Sequence, residues 1–298
     1  MSRRAGRTRQ AATRTGLAAL RAASQLPLPL LALIGRLMGV AAYYLMRTRR
    51  HVVQVNLRLC FPQWSQKART RLAKAHFRAL GQGIFDLPVA WWASPRRLRR
   101  LVQFVDRHHF DEAAAAGRVI LLTPHFVPLK IGVALSLERP MANVYRRMPN
   151  PVVEEAFRAA IGRFGATMIA QEEGIKPILR ALREGRVLYY LPDQDFGERG
   201  SVFAPFFGVP TSTLEAAGRL ARTVGARVVP CYVWQRPWGR GYQIAFGPAL
   251  PGFPSGDRLA DATATNAAIE AGVRIHPEQY FWVHKRFKTR PPGSEPVY

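Results

Sequence analysis

A chain of 298 residues with 48% hydrophobic content carries enough apolar surface for a large packed core, which excludes an intrinsically disordered protein. Lys and Arg number 44 against 19 Asp and Glu, a formal net charge of +25, and 38 of those 44 are arginines, so the partners to expect are polyanions. The two cysteines, Cys60 and Cys231, lack CxxC spacing; this excludes a disulfide framework and a zinc site, and fits a reducing, cytoplasm-facing domain.

The charge is concentrated at the start of the chain. No acidic residue precedes Asp86, whereas 16 Lys and Arg fall within residues 1–85. Residues 1–25 form a basic segment, and residues 26–46 follow as an apolar run broken only by Arg36. Its 21 residues approach the roughly 20 that an α-helix needs to cross a bilayer. Pro27 and Pro29 suit a helix entry, and Tyr43 and Tyr44 suit an interfacial belt. The run reads as a membrane anchor that either spans or lies in the interface, the alternative being a buried hairpin of a soluble domain. A cleaved signal peptide is not expected, because the apolar run starts late, contains Arg36 and lacks a small-residue cleavage site.

The remainder, 47–298, reads as one domain. Residues 65–87 have a helical pattern with Leu72, Ala75, Ala79 and Leu80 on one side and basic residues on the other, which predicts a surface helix. Strand runs are predicted at 119–123 (VILLT), around Val144 and Tyr145, at 167–170, at 187–191 and at 227–234, with 242–246 pairing at an edge. Helical patterns at 127–137, 151–164, 174–183 and 213–224 lie between them. This alternation predicts an α/β fold with a mostly parallel sheet flanked by helices, and ligands gather beyond the carboxyl ends of such strands.

Three polar clusters fall at those ends. His125, in Thr-Pro-His-Phe after the 119–123 strand, is where a general base would stand; a neutral imidazole with a pKa of about 6.5 accepts a hydroxyl proton near neutrality. Tyr145, Arg146 and Arg147, with Asn150, offer guanidinium donors suited to phosphate or carboxylate, or else a solvated basic face. Asp193, Gln194 and Asp195 follow Pro192 after the 187–191 strand. Phe206 and Phe207, in the kinked run 203–208, suit either an acyl-chain groove or the core. His76 on the basic helix, His108 and His109 in a polar turn, and His276 and His284 near the end are assigned no chemical role; Arg286 either meets phosphate or lies on a solvated face.

These blocks, in this order and over nearly the whole chain, resemble the lipid A late acyltransferases, the lauroyl and myristoyl transferases of Gram-negative bacteria. The resemblance rests on Asn56-Leu-Arg-Leu-Cys-Phe-Pro62, His125-Phe126, Tyr145-Arg146 with Asn150-Pro151, Pro192-Asp-Gln-Asp195, residues 201–208, and the run from His276 to Lys288. It implies an amino-terminal membrane helix, a glycerolipid-acyltransferase-like domain at the cytoplasmic face of the inner membrane, and no metal or redox cofactor. It also implies acyl carrier protein as donor and a hydroxylated acyl chain of a lipid A precursor as acceptor. His125 would take the acceptor proton, and Arg146 would hold a substrate phosphate. Tyr145, Asn150, Gln194, Phe206 and Phe207 would line the substrate site.

One position departs from the family pattern of His, four residues, then Asp or Glu: here the segment is His125-Phe-Val-Pro-Leu-Lys130. A carboxylate would fix the imidazole tautomer and stabilise the imidazolium, whereas a cation opposes it. The sequence therefore leaves a working enzyme in which Asp193 or Asp195 reaches the imidazole, and a weak or silent lipid-binding relative in which Lys130 pairs a headgroup phosphate. A lysophospholipid or aminolipid is a further candidate acceptor. Nucleic-acid binding has only charge behind it and no recognition motif.

Overall fold

The computed structural model describes residues 3–298, so the first two residues of the basic segment lie outside the described part. The chain opens with three helices, α1 (Arg3–Ala23), α2 (Leu28–Leu45) and α3 (Arg47–Cys60), before the long α4 (Gln66–Trp92). The Ser65 hydroxyl caps α4 by accepting from the Ala68 amide at 3.2 Å. There follow α5 (Pro95–Leu101), β1 (Val102–Val105), α6 (Arg107–Ala115), β2 (Val119–Leu122), a 3₁₀ segment (Leu129–Leu137), β3 (Met141–Tyr145), α7 (Pro151–Gly162) and β4 (Thr167–Ala170). The last part comprises α8 (Ile175–Arg183), β5 (Val187–Tyr190), β6 (Ser201–Phe206), β7 (Val209–Leu214), α9 (Ala216–Val224), β8 (Arg227–Gln235), β9 (Tyr242–Phe246) and α10 (Arg258–Ile275).

Seven strands form one sheet in the order β1-β9-β8-β2-β5-β3-β4, and every neighbouring pair is parallel except β8 with β9. The mostly parallel α/β sheet expected from the alternation is present. β2 is buried along its whole length, as a central strand covered on both faces must be. Two strand assignments need correction. β9 lies between β1 and β8 rather than at an edge; β1, which follows the Arg-rich 96–100 stretch without a period-two pattern, supplies that edge. Residues 201–214 form a separate antiparallel hairpin, β6 with β7, so the 203–208 run is a strand and its turn, and the helix expected from residue 213 begins at Ala216. The 127–137 segment is helical as 3₁₀ from Leu129 onward.

The helix over 65–87 is not a surface element. α4 buries Leu72, Phe77, Gln82, Asp86 and Val89 among others because α2 covers it from outside. Glycine makes that contact close: a Cβ at Gly39 would stand 2.1 Å from the Phe77 carbonyl oxygen, and one at Gly81 would stand 2.1 Å from the Gly35 carbonyl oxygen. α2 therefore presents one face, with Leu28, Leu31 and Tyr43, to the body, and leaves Leu33, Leu37, Val40, Tyr44 and Leu45 exposed on the other.

His76 and Asp86, both on α4, are buried titratable groups. His76 Nδ1 meets the Glu278 carbonyl oxygen at 3.0 Å, and burial depresses its pKa to about 4. Asp86 accepts from Tyr242 at 2.7 Å and Gln235 at 2.6 Å, yet burial lifts its pKa to about 7.

Gly39→Val should force α2 off α4, with about 1–3 kcal/mol lost and earlier thermal unfolding in nonionic detergent. The two titrations oppose one another. Between about pH 4 and 6.5 the unfolded chain binds a proton at residue 76 that the folded one does not, so that contribution to stability grows with pH. Between about pH 4 and 7 the folded chain keeps a proton on Asp86 that the unfolded one loses, so that contribution falls with pH. Asp86→Asn removes the falling part: relative to the parent, its denaturant-unfolding stability should rise by about 1.4 kcal/mol per pH unit across that window.

Candidate functional site

The register of two adjacent strands builds the centre of the site. Leu122 of β2 pairs with Tyr190 of β5, and the third residue beyond each is His125 and Asp193. Parallel strands carry both loops off the same carboxyl edge, so residues 68 apart in sequence meet. The Asp193 carboxylate accepts from the His125 amide at 2.7 Å through one oxygen and meets His125 Nδ1 at 2.6 Å through the other. The Asp193 side chain is 1% exposed and that of His125 is 19% exposed.

Burial raises the pKa of Asp193, but the opposing pull of His125, by charge and by two hydrogen bonds, and of Arg286 leaves it below the usual carboxylate value. An ionised carboxylate can only accept, so in the neutral form of this imidazole the proton sits on Nδ1 and the lone pair on Nε2. Among the described residues Nε2 has no hydrogen-bond partner, which leaves it open to a ligand.

The loop carrying His125 is braced by the end of the chain. Phe126 and Tyr280 form an antiparallel bridge, the Phe281 amide donates to the His125 carbonyl at 2.9 Å, and the Val127 amide donates to the Gln279 carbonyl at 2.8 Å. Buried Asn56 on α3 locks the same block by donating to the carbonyls of Trp282 at 2.7 Å and His284 at 2.8 Å. A small cavity of about 10 Å³ is lined by His125 together with Asn56, Asp193, Tyr280, His284 and Arg286. His284 accepts from the Asp195 amide through Nε2 at 3.0 Å and is held neutral, burial depressing its pKa to about 4. Arg286 is 2% exposed and donates to the Ser212 carbonyl at 2.7 Å. Neither a solvated Arg286 nor a bystander His284 describes this arrangement. Their only sequence signal is membership of the 276–288 block.

A larger cavity of about 400 Å³ is lined by His125, Lys130, Tyr145, Arg146, Gln171 and Gln194 among others. Lys130 does not contact the imidazole; its ammonium sits over the Phe157 ring, 5.0 Å from the centroid. A second, mainly apolar cavity of about 300 Å³ adjoins at Lys130 and is walled by Leu80, Ile84, Leu87, Val127 and Phe281.

The remaining sequence candidates separate. Asp195 does not reach the imidazole: it accepts from the Thr289 amide and hydroxyl, each at 2.7 Å, and from the Gly197 amide at 3.0 Å, fastening the chain end to the loop. Asn150 accepts from the Val152 amide at 3.0 Å as the cap of α7 and donates to Thr13 of α1 at 3.2 Å, away from the cavity lining. Phe206 is fully buried beside Tyr280 and Phe287, and Phe207 packs on Phe61; neither lines the cavities at His125. Tyr145 donates to Glu154 at 3.2 Å at the cavity wall. Among the described residues no group of three or more His, Cys, Asp or Glu side chains is placed to hold a metal ion.

The same chain order is found in known proteins. The family model for bacterial lipid A biosynthesis acyltransferases matches residues 2–289. The lipid A biosynthesis lauroyltransferase of Escherichia coli K12 is 34% identical over 286 residues, covering 95% of this chain and 93% of its own. The palmitoleoyltransferase of the same strain is 32% identical, covering 92% and 90%, and its myristoyltransferase is 32% identical, covering 91% and 83%. With a family-model match and a relative of 34% identity along almost its entire length, the chain belongs to the bacterial lipid A biosynthesis acyltransferase family.

Proposed function

We propose that the protein transfers a fatty acyl chain from acyl carrier protein to a hydroxyl of a lipid A precursor, with His125 as general base. The observation that carries this reading is the Asp193 to His125 pair, which fixes the imidazole through Nδ1 on a residue that lines a cavity of about 400 Å³. Nε2 takes the proton of the acceptor hydroxyl as its oxygen attacks the thioester carbonyl carbon. The tetrahedral intermediate then expels the thiolate, which receives that proton from the imidazolium. Asp193 steadies the cation formed in between. It does the work that the family's carboxylate five residues after the histidine would do, so Lys130 at that position leaves the base with a partner. The apolar cavity beside Lys130 suits an acyl chain.

The reaction is assigned to the cytoplasmic face of the bacterial inner membrane, with residues 26–46 as anchor and 47–298 as the acyltransferase domain. The exposed face of α2 is apolar and is flanked by Trp238, 71% exposed, with Arg36 over its ring at 5.8 Å. The basic residues of α3, Arg47, Arg49 and Arg50, follow directly, a pattern suited to anionic headgroups. Net positive charge also suits an acidic carrier protein.

Full-length protein given acyl carrier donor and lipid A precursor should form product; His125→Ala should abolish it, and Asp193→Asn should lower kcat by about 10³-fold or more with KM little changed, by analogy with loss of an orienting carboxylate elsewhere. No turnover by the parent on this acceptor, a lysophospholipid or an aminolipid would instead favour a silent lipid-binding relative. Co-sedimentation with vesicles containing anionic lipid should exceed that with neutral vesicles, and Leu33→Asp with Leu37→Asp should reduce both.

A further inference from the structure

The larger cavity lined by His125 has an unusual charge balance. Its lining includes two cations, Lys130 and Arg146, and no carboxylate. Neither cation has a hydrogen bond or ion pair among the described residues, although Arg147 next to them pairs with Glu172 at 3.9 Å. Glu154, close by on α7, is engaged by the Tyr145 hydroxyl and by the Met148 amide at 3.1 Å.

Arg146 is exposed at the rim and well hydrated there. Lys130 is not. It is partly buried, rests on Phe157 and borders an apolar cavity, so it has given up water without gaining a protein anion. We propose that Lys130 is a specificity-determining residue that binds a phosphate group of the substrate in this cavity, with Arg146 closing on the same anion from the rim. The proposal rests on the acyl-transfer reading above and names the part of the substrate that the site reads.

A phosphate monoester near neutrality carries close to two negative charges, which matches two unpaired cations better than a single carboxylate does. Burial lowers the Lys130 pKa to about 8, so an arriving anion gains by restoring full protonation of a group the protein leaves uncompensated. And because Asp193 already serves His125 Nδ1, Lys130 is free to face substrate instead of the imidazole. A carboxylate at residue 130 would place like charge against the phosphate, so the cation at this position is expected to narrow the acceptor range to lipids phosphorylated near the reacting hydroxyl.

The same phosphate chemistry has two sources on the acyl-transfer reading, the acceptor lipid and the pantetheine arm of the donor. The test uses full-length protein in nonionic detergent with the phosphorylated lipid A precursor or its phosphatase-treated form, and with acyl carrier protein or a phosphate-free acyl-pantetheine thioester. Lys130→Met should raise KM for the phosphorylated acceptor by about tenfold or more with kcat nearly unchanged, and Lys130→Arg should restore most of it. Parent and Lys130→Met should be alike on the dephosphorylated acceptor. If the tenfold change instead follows the donor phosphate, the site stands and its source is the carrier arm. A fall in kcat of equal size on every substrate pair would overturn the proposal, since Lys130 would then act on the developing oxyanion. No change in either constant would also overturn it, leaving Lys130 as packing on Phe157. Equilibrium binding of the two lipids without donor separates this proposal from the enzymatic one: loss of phosphate-dependent binding in Lys130→Met, in a protein that shows no turnover, keeps the anion site and rejects the transferase.

Discussion

A buried carboxylate, Asp193, facing an imidazole is the constraint around which this molecule is arranged. An ionised group taken from water costs several kcal/mol unless it is paired and hydrogen-bonded. Asp193 has both kinds of compensation: two hydrogen bonds to His125 and the nearby positive charge of Arg286. Each compensating group must itself be held. Arg286 is anchored to the Ser212 carbonyl of the small hairpin, and the His125 loop is bridged to the 276–288 block. Asn56 ties that block to α3. The Tyr298 hydroxyl in turn donates to Asn56, so both ends of the folded domain converge on the pair.

The sheet supplies the alignment and the helices supply the wall. Because β2 and β5 are parallel neighbours in register, equal steps past Leu122 and Tyr190 bring His125 and Asp193 together without a long loop. β3 lies on the other side of β5 and delivers Tyr145 and Arg146 to the same edge. α4 closes the apolar side with Leu80, Ile84 and Leu87, and is in turn covered by α2 through glycine contacts too close for any side chain. α2 itself commits one face to the body and leaves the other, apolar face exposed.

The chemical logic at residue 130 follows from the same arrangement. With the imidazole partner supplied from the end of β5, the position five residues after His125 is released from serving the base, and a partly buried ammonium is tolerated over the Phe157 ring.

Much was legible in the sequence. Period-two and continuous apolar runs marked six of the seven strands of the main sheet, the turn residues marked their carboxyl ends, and the order of blocks carried the family. The edge strand β1 and the β6–β7 hairpin were not legible, because four residues beside an Arg-rich helix and a Pro-interrupted aromatic run carry no distinctive pattern. Sequence placed both Asp193 and Asp195 after one strand and could not choose between them. The choice was made by strand register, which points the first at the imidazole and leaves the second to hold Thr289. Sequence likewise marked residues 65–87 as helical, but burial of that helix depends on α2 lying across it. The sequence by itself thus determined six strands of the main sheet, the helical segments between them and the polar residues after them, all properties of local pattern. Which carboxylate serves His125, and where His284, Arg286 and Lys130 face, was decided only by the tertiary structure, since those contacts join residues far apart in the chain through the pairing of strands.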